Sequence, residues 1–248
     1  MRRFKTQSNL TRVALTLLIA LLSTATAWAY NIPDTGSCGP NATYTSNDST
    51  MTISGTGEIS NHTFYYKDLS GIKSIVINEG LTDIGNNAFS TNKSPDLTLV
   101  NLPASLININ RYAFELCAAL TTVNIAPNSQ LQTIGWCAFS ETGLTSIDLS
   151  GCHDLTSIAY GAFYESPLGG AVDLSGCTSL SSIGEFAFYK TSITSISLPA
   201  SLISLGQSAF DECTALSTVT IADGSLLTTI GTQAFQQCNF ESIVLPCA

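Results

Sequence analysis

Few side chains in this 248-residue chain could carry chemistry, and their spacing excludes most reactions. There are two histidines, His62 and His153, the second beside Cys152. A cysteine–histidine dyad needs side chains brought together by the fold, and adjacency in sequence does not supply that. His153 therefore reads as a surface turn residue. No G-x-S-x-G, H-E-x-x-H, phosphate-loop or Cys-x-x-Cys pattern occurs, and no Cys/His spacing suits zinc. The expectation is a protein that is not an enzyme, with no catalytic residues, no metal and no cofactor.

The eight cysteines suggest disulfides until their positions are compared. Cys117, Cys213 and Cys238 each follow a phenylalanine by three residues, and Cys152 and Cys177 share the register Ser-Gly-Cys-x-x-Leu. A position within a repeating unit, not a partner, dictates them. They are expected to be buried thiols acting as small, soft hydrophobes. Cys38 and Cys247 stand too far apart to meet in one molecule. Only Cys152 with Cys177, or Cys213 with Cys238, come near enough to bond, and parallel Cβ directions would strain that bond.

The repeating unit must position everything else. An Ala-Phe pair ends at Phe89, Phe114, Phe139, Phe163, Phe188, Phe210 and Phe235, a nearly constant interval along most of the chain. A period of that size marks a solenoid. Each unit has a first apolar pulse, L-x-x-V-x-L, as in Leu120/Val123/Ile125. The V-x-L spacing is that of a strand with two side chains inward and one outward. Stacked units would make one parallel sheet, each strand stopped by a Pro or a Gly. A second pulse, L-x-x-I, precedes Gly85, Asn110, Gly135, Gly184, Gly206 or Gly231, which suggests a left-handed backbone position there. The unit with Ala159-Tyr160-Gly161 departs from this, so its turn is expected to shift by two residues. Gly169 stands where other units have an apolar residue, which predicts a loose rung. Each Phe is expected to stack on the next.

Residues 1–29 read as a signal peptide: Arg2, Arg3, Lys5 and Arg12, then the apolar Val13–Leu22, then Ala27-Trp28-Ala29 before the cut at Tyr30. The apolar run is too short to span a membrane. Residues 30–70 read as a leader and N-terminal cap, in which Ala42/Tyr44 and Met51/Ile53 alternate around a polar Asn47-Asp48-Ser49 turn, a β-hairpin. Residues 71–248 form the solenoid, about seven repeats. The chain stops at Cys247-Ala248 straight after a strand, which leaves the last rung without a visible polar cap. Four of the nine basic residues lie in the signal peptide, so the mature chain keeps five against 18 acidic residues, a net charge of −13. That excludes nucleic acid and anionic membrane surfaces as partners.

The unit I-G-x-x-A-F-x-x-C-x-x-L-x-x-V-x-L-P, seen at Leu205–Ile221 and Ile230–Pro246, resembles the BspA-like leucine-rich repeat of bacterial surface proteins. The segment beginning Gly36-Ser37-Cys38 is similar to the one that precedes those repeats. The resemblance implies a mostly β, right-handed leucine-rich repeat solenoid with its parallel sheet on the concave face. It further implies export to the cell surface or medium, and binding to host or neighbouring-cell proteins. It brings no catalytic residues.

The outward strand residues Asn101, Asn124, Asp148, Asp173, Ser197 and Thr220 are the expected partner-binding face. It is flat and hydroxyl-rich, with two carboxylates at its middle that are expected to repel one another from adjacent strands. Without aromatic anchors, it suits weak or multivalent contact with extracellular proteins, a basic peptide or a glycan. The expected function is therefore a secreted or cell-surface, adhesin-like protein-binding module. The alternative is a structural spacer whose strand face is merely solvated.

Overall fold

The computed structural model describes residues 33–90 and 94–244. The signal-peptide reading, Cys247 and the chain's end lie outside them. The first strands are β1 (Thr35–Ser37), β2 (Ala42–Asn47), β3 (Thr50–Gly55) and β4 (Gly57–Ile59). Long and short strands then alternate as β5 (Ser74–Ile77), β6 (Leu81–Ile84), β7 (Leu99–Leu102), β8 (Asn108–Ile109), β9 (Thr122–Ile125) and β10 (Thr133–Ile134). The remainder are β11 (Ser157–Ile158), β12 (Gly169–Asp173), β13 (Ser182–Ile183), β14 (Ser192–Leu198), β15 (Ser204–Leu205), β16 (Thr218–Ile221), β17 (Thr229–Ile230) and β18 (Ser242–Val244). No helix occurs among the described residues.

The hairpin expected at the N-terminus is present, with β2 antiparallel to β3 and Asp48 in the turn at φ 37°. The solenoid ladders also reach back into this segment. β3 pairs parallel with β5 and β4 with β6, so the hairpin's second strand is already a rung. Phe64 stands one repeat ahead of Phe89 and stacks on it at 5.1 Å, although Thr63 replaces the usual alanine.

The short strands from β4 to β17 make one eight-stranded sheet. The long strands do not make one sheet as expected. They form a six-stranded sheet ending at β9 and a four-stranded sheet beginning at β12. Between them, residues 146–149 belong to no strand. That rung is held at its start, where the Thr145 N–H donates to the Thr121 oxygen (3.5 Å) and the Gly169 N–H donates to the Thr145 oxygen (2.9 Å). The irregularity is therefore one rung earlier than Gly169. At Gly169 itself Leu168 is fully buried just ahead, and the register shifts between Gly170 and Ala171 absorb the difference.

Eight phenylalanines, from Phe64 to Phe235, stack in one column with centroids 5.1–5.6 Å apart and ring planes within 19°. Beside them, from Phe114 onward, runs a column of small residues, three after each Phe of the column, that bond backbone carbonyls. The Thr142, Ser166 and Thr191 hydroxyls donate to Phe139, Phe163 and Phe188 oxygens, while the Cys117, Cys213 and Cys238 thiols donate to Phe89, Phe188 and Phe210 oxygens. Cysteine alternates with Ser and Thr here because each is small and has one donor. The cysteines of the described residues are all free thiols, and most are buried.

The second-pulse glycines are not left-handed. From Phe114 onward a left-handed residue lies two before and two after each Phe of the column, as at Tyr112 and Leu116 (φ 58° and 62°), Cys137 and Glu141 (49° and 52°), and Ser208 and Glu212 (50° and 58°). Gly161 (φ 59°) takes the same place before Phe163, so the turn of that unit is not shifted. A non-glycine left-handed residue costs about 1–2 kcal/mol. The offset is a third ladder. Backbone N–H groups of these residues and of the Phe donate to carbonyls of the next unit, as Tyr112 to Trp136, Phe114 to Ala138 and Leu116 to Ser140 (2.8–3.0 Å).

The glycines answer to close approach instead. A Cβ on Gly206 would stand 2.4 Å from the Gly184 carbon and the Glu185 nitrogen, and one on Gly231 2.3 Å from the Gln207 nitrogen. At the two units without glycine, Asn110 and Ala159, the N–H to the preceding rung stretches to 3.0 and 2.9 Å, against 2.8 Å at Gly85, Gly135, Gly184, Gly206 and Gly231. Gly206→Ala should therefore cost about 1–3 kcal/mol in a urea melt. Gly151→Ala, with nothing within 4 Å, should stay within about 0.5 kcal/mol. Equal effects would refute the close-approach account.

Candidate functional site

The long-strand face carries most of the expected residues in register. Asn101 in β7 pairs with Asn124 in β9, and the Asn124 Nδ2 donates to the Asn101 Oδ1 at 2.8 Å. Asp173, Ser197 and Thr220 line up across β12, β14 and β16. Asp148 is the exception. It lies in the strandless rung, so it does not oppose Asp173 across a ladder, and the expected repulsion is not built in. Each carboxylate turns instead to its own loop. Asp148 accepts from the Ser150 hydroxyl (2.6 Å) and N–H (3.0 Å), and Asp173 accepts from the Ser175 N–H (2.9 Å).

The Ser150 hydroxyl, then its N–H, holds the Asp148 carboxyl below the usual carboxylate range. A depressed folded pKa stabilises above the unfolded value and loses that benefit as pH falls through the folded one. Asp148→Ala should therefore lower stability at pH 7 by at most about 1 kcal/mol, solvent screening keeping it small. Asp148→Asn, which accepts the same bonds, should not. Matched pH 7 and pH 3 melts check this. The Ala deficit should shrink at pH 3.

The opposite edge of each rung, where the turns meet the short strands, holds larger side chains. The residue three before each Phe reads, down adjacent units, Arg111, Trp136, Tyr160 and Glu185. The Arg111 guanidinium lies over the Trp136 ring at 5.0 Å and over Tyr112 at 4.5 Å, while its Nη2 donates to the Tyr112 hydroxyl at 2.7 Å. The Trp136 and Tyr160 rings are 5.4 Å apart but tilted by 37°, so they open as a wedge. Trp136 is 50% exposed and Tyr160 37%. The wedge borders a pocket of about 510 Å³ lined by Trp136, Tyr160 and Glu185 together with Ser157, Ala159 and Gly184. Farther along, Lys190 lies between Glu165 (3.3 Å) and Glu212 (3.7 Å), and Tyr189 donates to Glu212 at 2.6 Å.

This row escaped the reading of the sequence, which followed the strand residues alone. Its signal was the variable column just ahead of the Ala-Phe pair, where Arg, Trp and Tyr follow one another in successive units. The Cys152–His153 neighbours do not meet as chemistry. Cys152 is buried, and burial pushes its thiol up to about 11. The His153 ring is exposed, with Nδ1 2.7 Å from the Gly176 oxygen.

Stacked parallel rungs, a phenylalanine spine and an N-terminal hairpin define a leucine-rich repeat β-solenoid. The chain belongs to the BspA type leucine rich repeat family, whose model matches residues 57–182 and 181–248, in six copies. No curated protein matches it significantly. Among solved structures, a leucine-rich repeat protein of Treponema pallidum (T. pallidum) is 19% identical over 76% of this chain and 82% of that one, with a TM-score of 0.45. A leucine-rich repeat protein from Eubacterium ventriosum is 14% identical over 86% and 84%, with a TM-score of 0.37. A leucine rich cell surface protein from Faecalibacterium prausnitzii is 21% identical over 87% and 77%, with a TM-score of 0.35.

Proposed function

We propose that this protein is a secreted or cell-surface, adhesin-like module that binds other proteins. The observation that carries the reading is the exposed row Arg111–Trp136–Tyr160. Arg, Trp and Tyr dominate binding energy at protein interfaces, and here they stand side by side on adjacent units. The stacked units supply the rigid backing such anchors need. The strand-face residues Asn101 to Thr220 offer a second, weaker surface of hydroxyls and amides. The expected partners are extracellular, host or neighbouring-cell proteins. The strong acidic excess argues against nucleic acid. Among the described residues no helix is long and apolar enough to cross a membrane.

The test is capture. Residues 30–248, immobilised, should retain a saturable partner from a panel of extracellular-matrix and cell-surface proteins. Trp136→Ala should weaken that partner at least about tenfold. No saturable partner in the panel would favour the spacer reading.

A further inference from the structure

We infer that the pocket lined by Trp136, Tyr160 and Glu185 is a subsite for a single Lys or Arg side chain from a basic segment of a protein partner. This deepens the protein-binding reading above and rests on it. The first argument is geometric. The two rings touch, with centroids 5.4 Å apart and planes tilted by 37°, and together they form one aromatic wall of the pocket, against which the stem of an extended side chain can lie. The second is that the indole already takes a cation on one side, the Arg111 guanidinium at 5.0 Å. The ring pair that lines the pocket therefore suits a cation by its chemistry, since electron-rich aromatic side chains attract an ammonium or guanidinium. The third is charge. Glu185 stands in the same column one unit beyond Tyr160 and walls the same pocket. Its carboxylate has no hydrogen-bonding or ionic partner among the described residues, whereas Lys190 engages Glu165 and Glu212.

The wedge thus has a direction. Arg111 closes its N-terminal end with a positive charge, and Glu185 leaves its C-terminal end negative. An incoming cation is repelled from one end and drawn to the other. Its alkyl stem would lie along the two rings on the pocket side while its head reaches the carboxylate. The Ser157 and Ser182 side chains in the lining are left for polar groups of the partner's backbone. A sugar would need an open ring face, and Arg111 and the tilted neighbour cover those of Trp136.

One residue makes this directly readable. The chain has two tryptophans, Trp28 and Trp136, so residues 30–248 carry Trp136 alone. Titrating that chain with a hexa-arginine peptide, by indole fluorescence and calorimetry, should give saturable binding that perturbs Trp136. Glu185→Gln should weaken it at least about fivefold, and Tyr160→Ala about tenfold. Glu58→Gln, which removes an equal charge from the first rungs, should leave it unchanged. Melting curves for each variant establish that the fold is kept. Equal weakening by Glu58→Gln would mean bulk charge attraction and would overturn the subsite. So would an unperturbed indole, or an N-acetylglucosamine tetramer that perturbs Trp136 where the peptide does not. If a captured partner ignores Trp136, Tyr160 and Glu185, the binding function stands and this subsite falls. If the peptide behaves as expected and no protein is captured, the subsite stands without its proposed setting.

Discussion

Between pH 9 and pH 11 the folded chain should lose stability steeply, and its buried thiols should be the cause. Burial pushes Cys38, Cys152 and Cys213 up to about 11, and Cys177 up to about 12. All four are at most 2% exposed. Lys67 opposes the shift at Cys38, and the Thr191 hydroxyl opposes it at Cys213, but desolvation dominates at both. A raised pKa means the fold holds its proton where the unfolded chain has lost it. The stabilisation is complete below the unfolded pKa near 9, and is lost as pH climbs toward 11 or 12. Each thiol contributes on the order of 1 kcal/mol per pH unit across that window. Four together rival the whole stability of an ordinary domain. Urea melts at pH 7, 9, 10 and 11 under reductant should show the fall. Cys177→Ala should start less stable at pH 7 and lose less on the way to pH 11. A midpoint flat to pH 11, or a slope indifferent to Cys177, would refute the account.

The second large effect is expected at the phenylalanine column. Phe139 is fully buried and stacked on both sides, 5.4 Å from Phe114 and 5.6 Å from Phe163. Phe139→Ala should cost about 3–5 kcal/mol, because close-packed neighbours cannot collapse into the space left. Phe235 is only partly buried, so Phe235→Ala should cost less. In a quasi-one-dimensional molecule the central deletion also weakens the coupling between its two halves. The Phe139→Ala melt should broaden or split, with a smaller denaturant slope, while the Phe235→Ala melt stays single. Equal costs for the two would show that full burial within the column adds nothing.

The column itself was legible in the chain because only a solenoid returns an Ala-Phe pair at so regular a period. The inward pulses were legible for the same reason, since apolar burial is non-directional and depends mainly on residue type. So were the N-terminal hairpin and the free thiols. The left-handed positions were not. Tyr112, Leu116, Phe186 and Lys190 hold φ between 54° and 62° against their local preference. A ladder to the next unit holds them there, and no local signal in the sequence marks it. Conversely the glycines announced a special position and misled about its nature, because absence of a Cβ serves close approach as well as positive φ.

The sequence by itself determined the period, the residues that face inward and the excess of acid. These depend on side-chain type and spacing alone. Which surface gathers large aromatic side chains was decided by the tertiary structure. Trp136 and Tyr160 are a full repeat apart in the chain and become a wedge only when neighbouring rungs set them side by side. Asp148 and Asp173 share a register in sequence but not a ladder in space. Backbone hydrogen bonds between rungs make that difference, and they form only after distant segments have met.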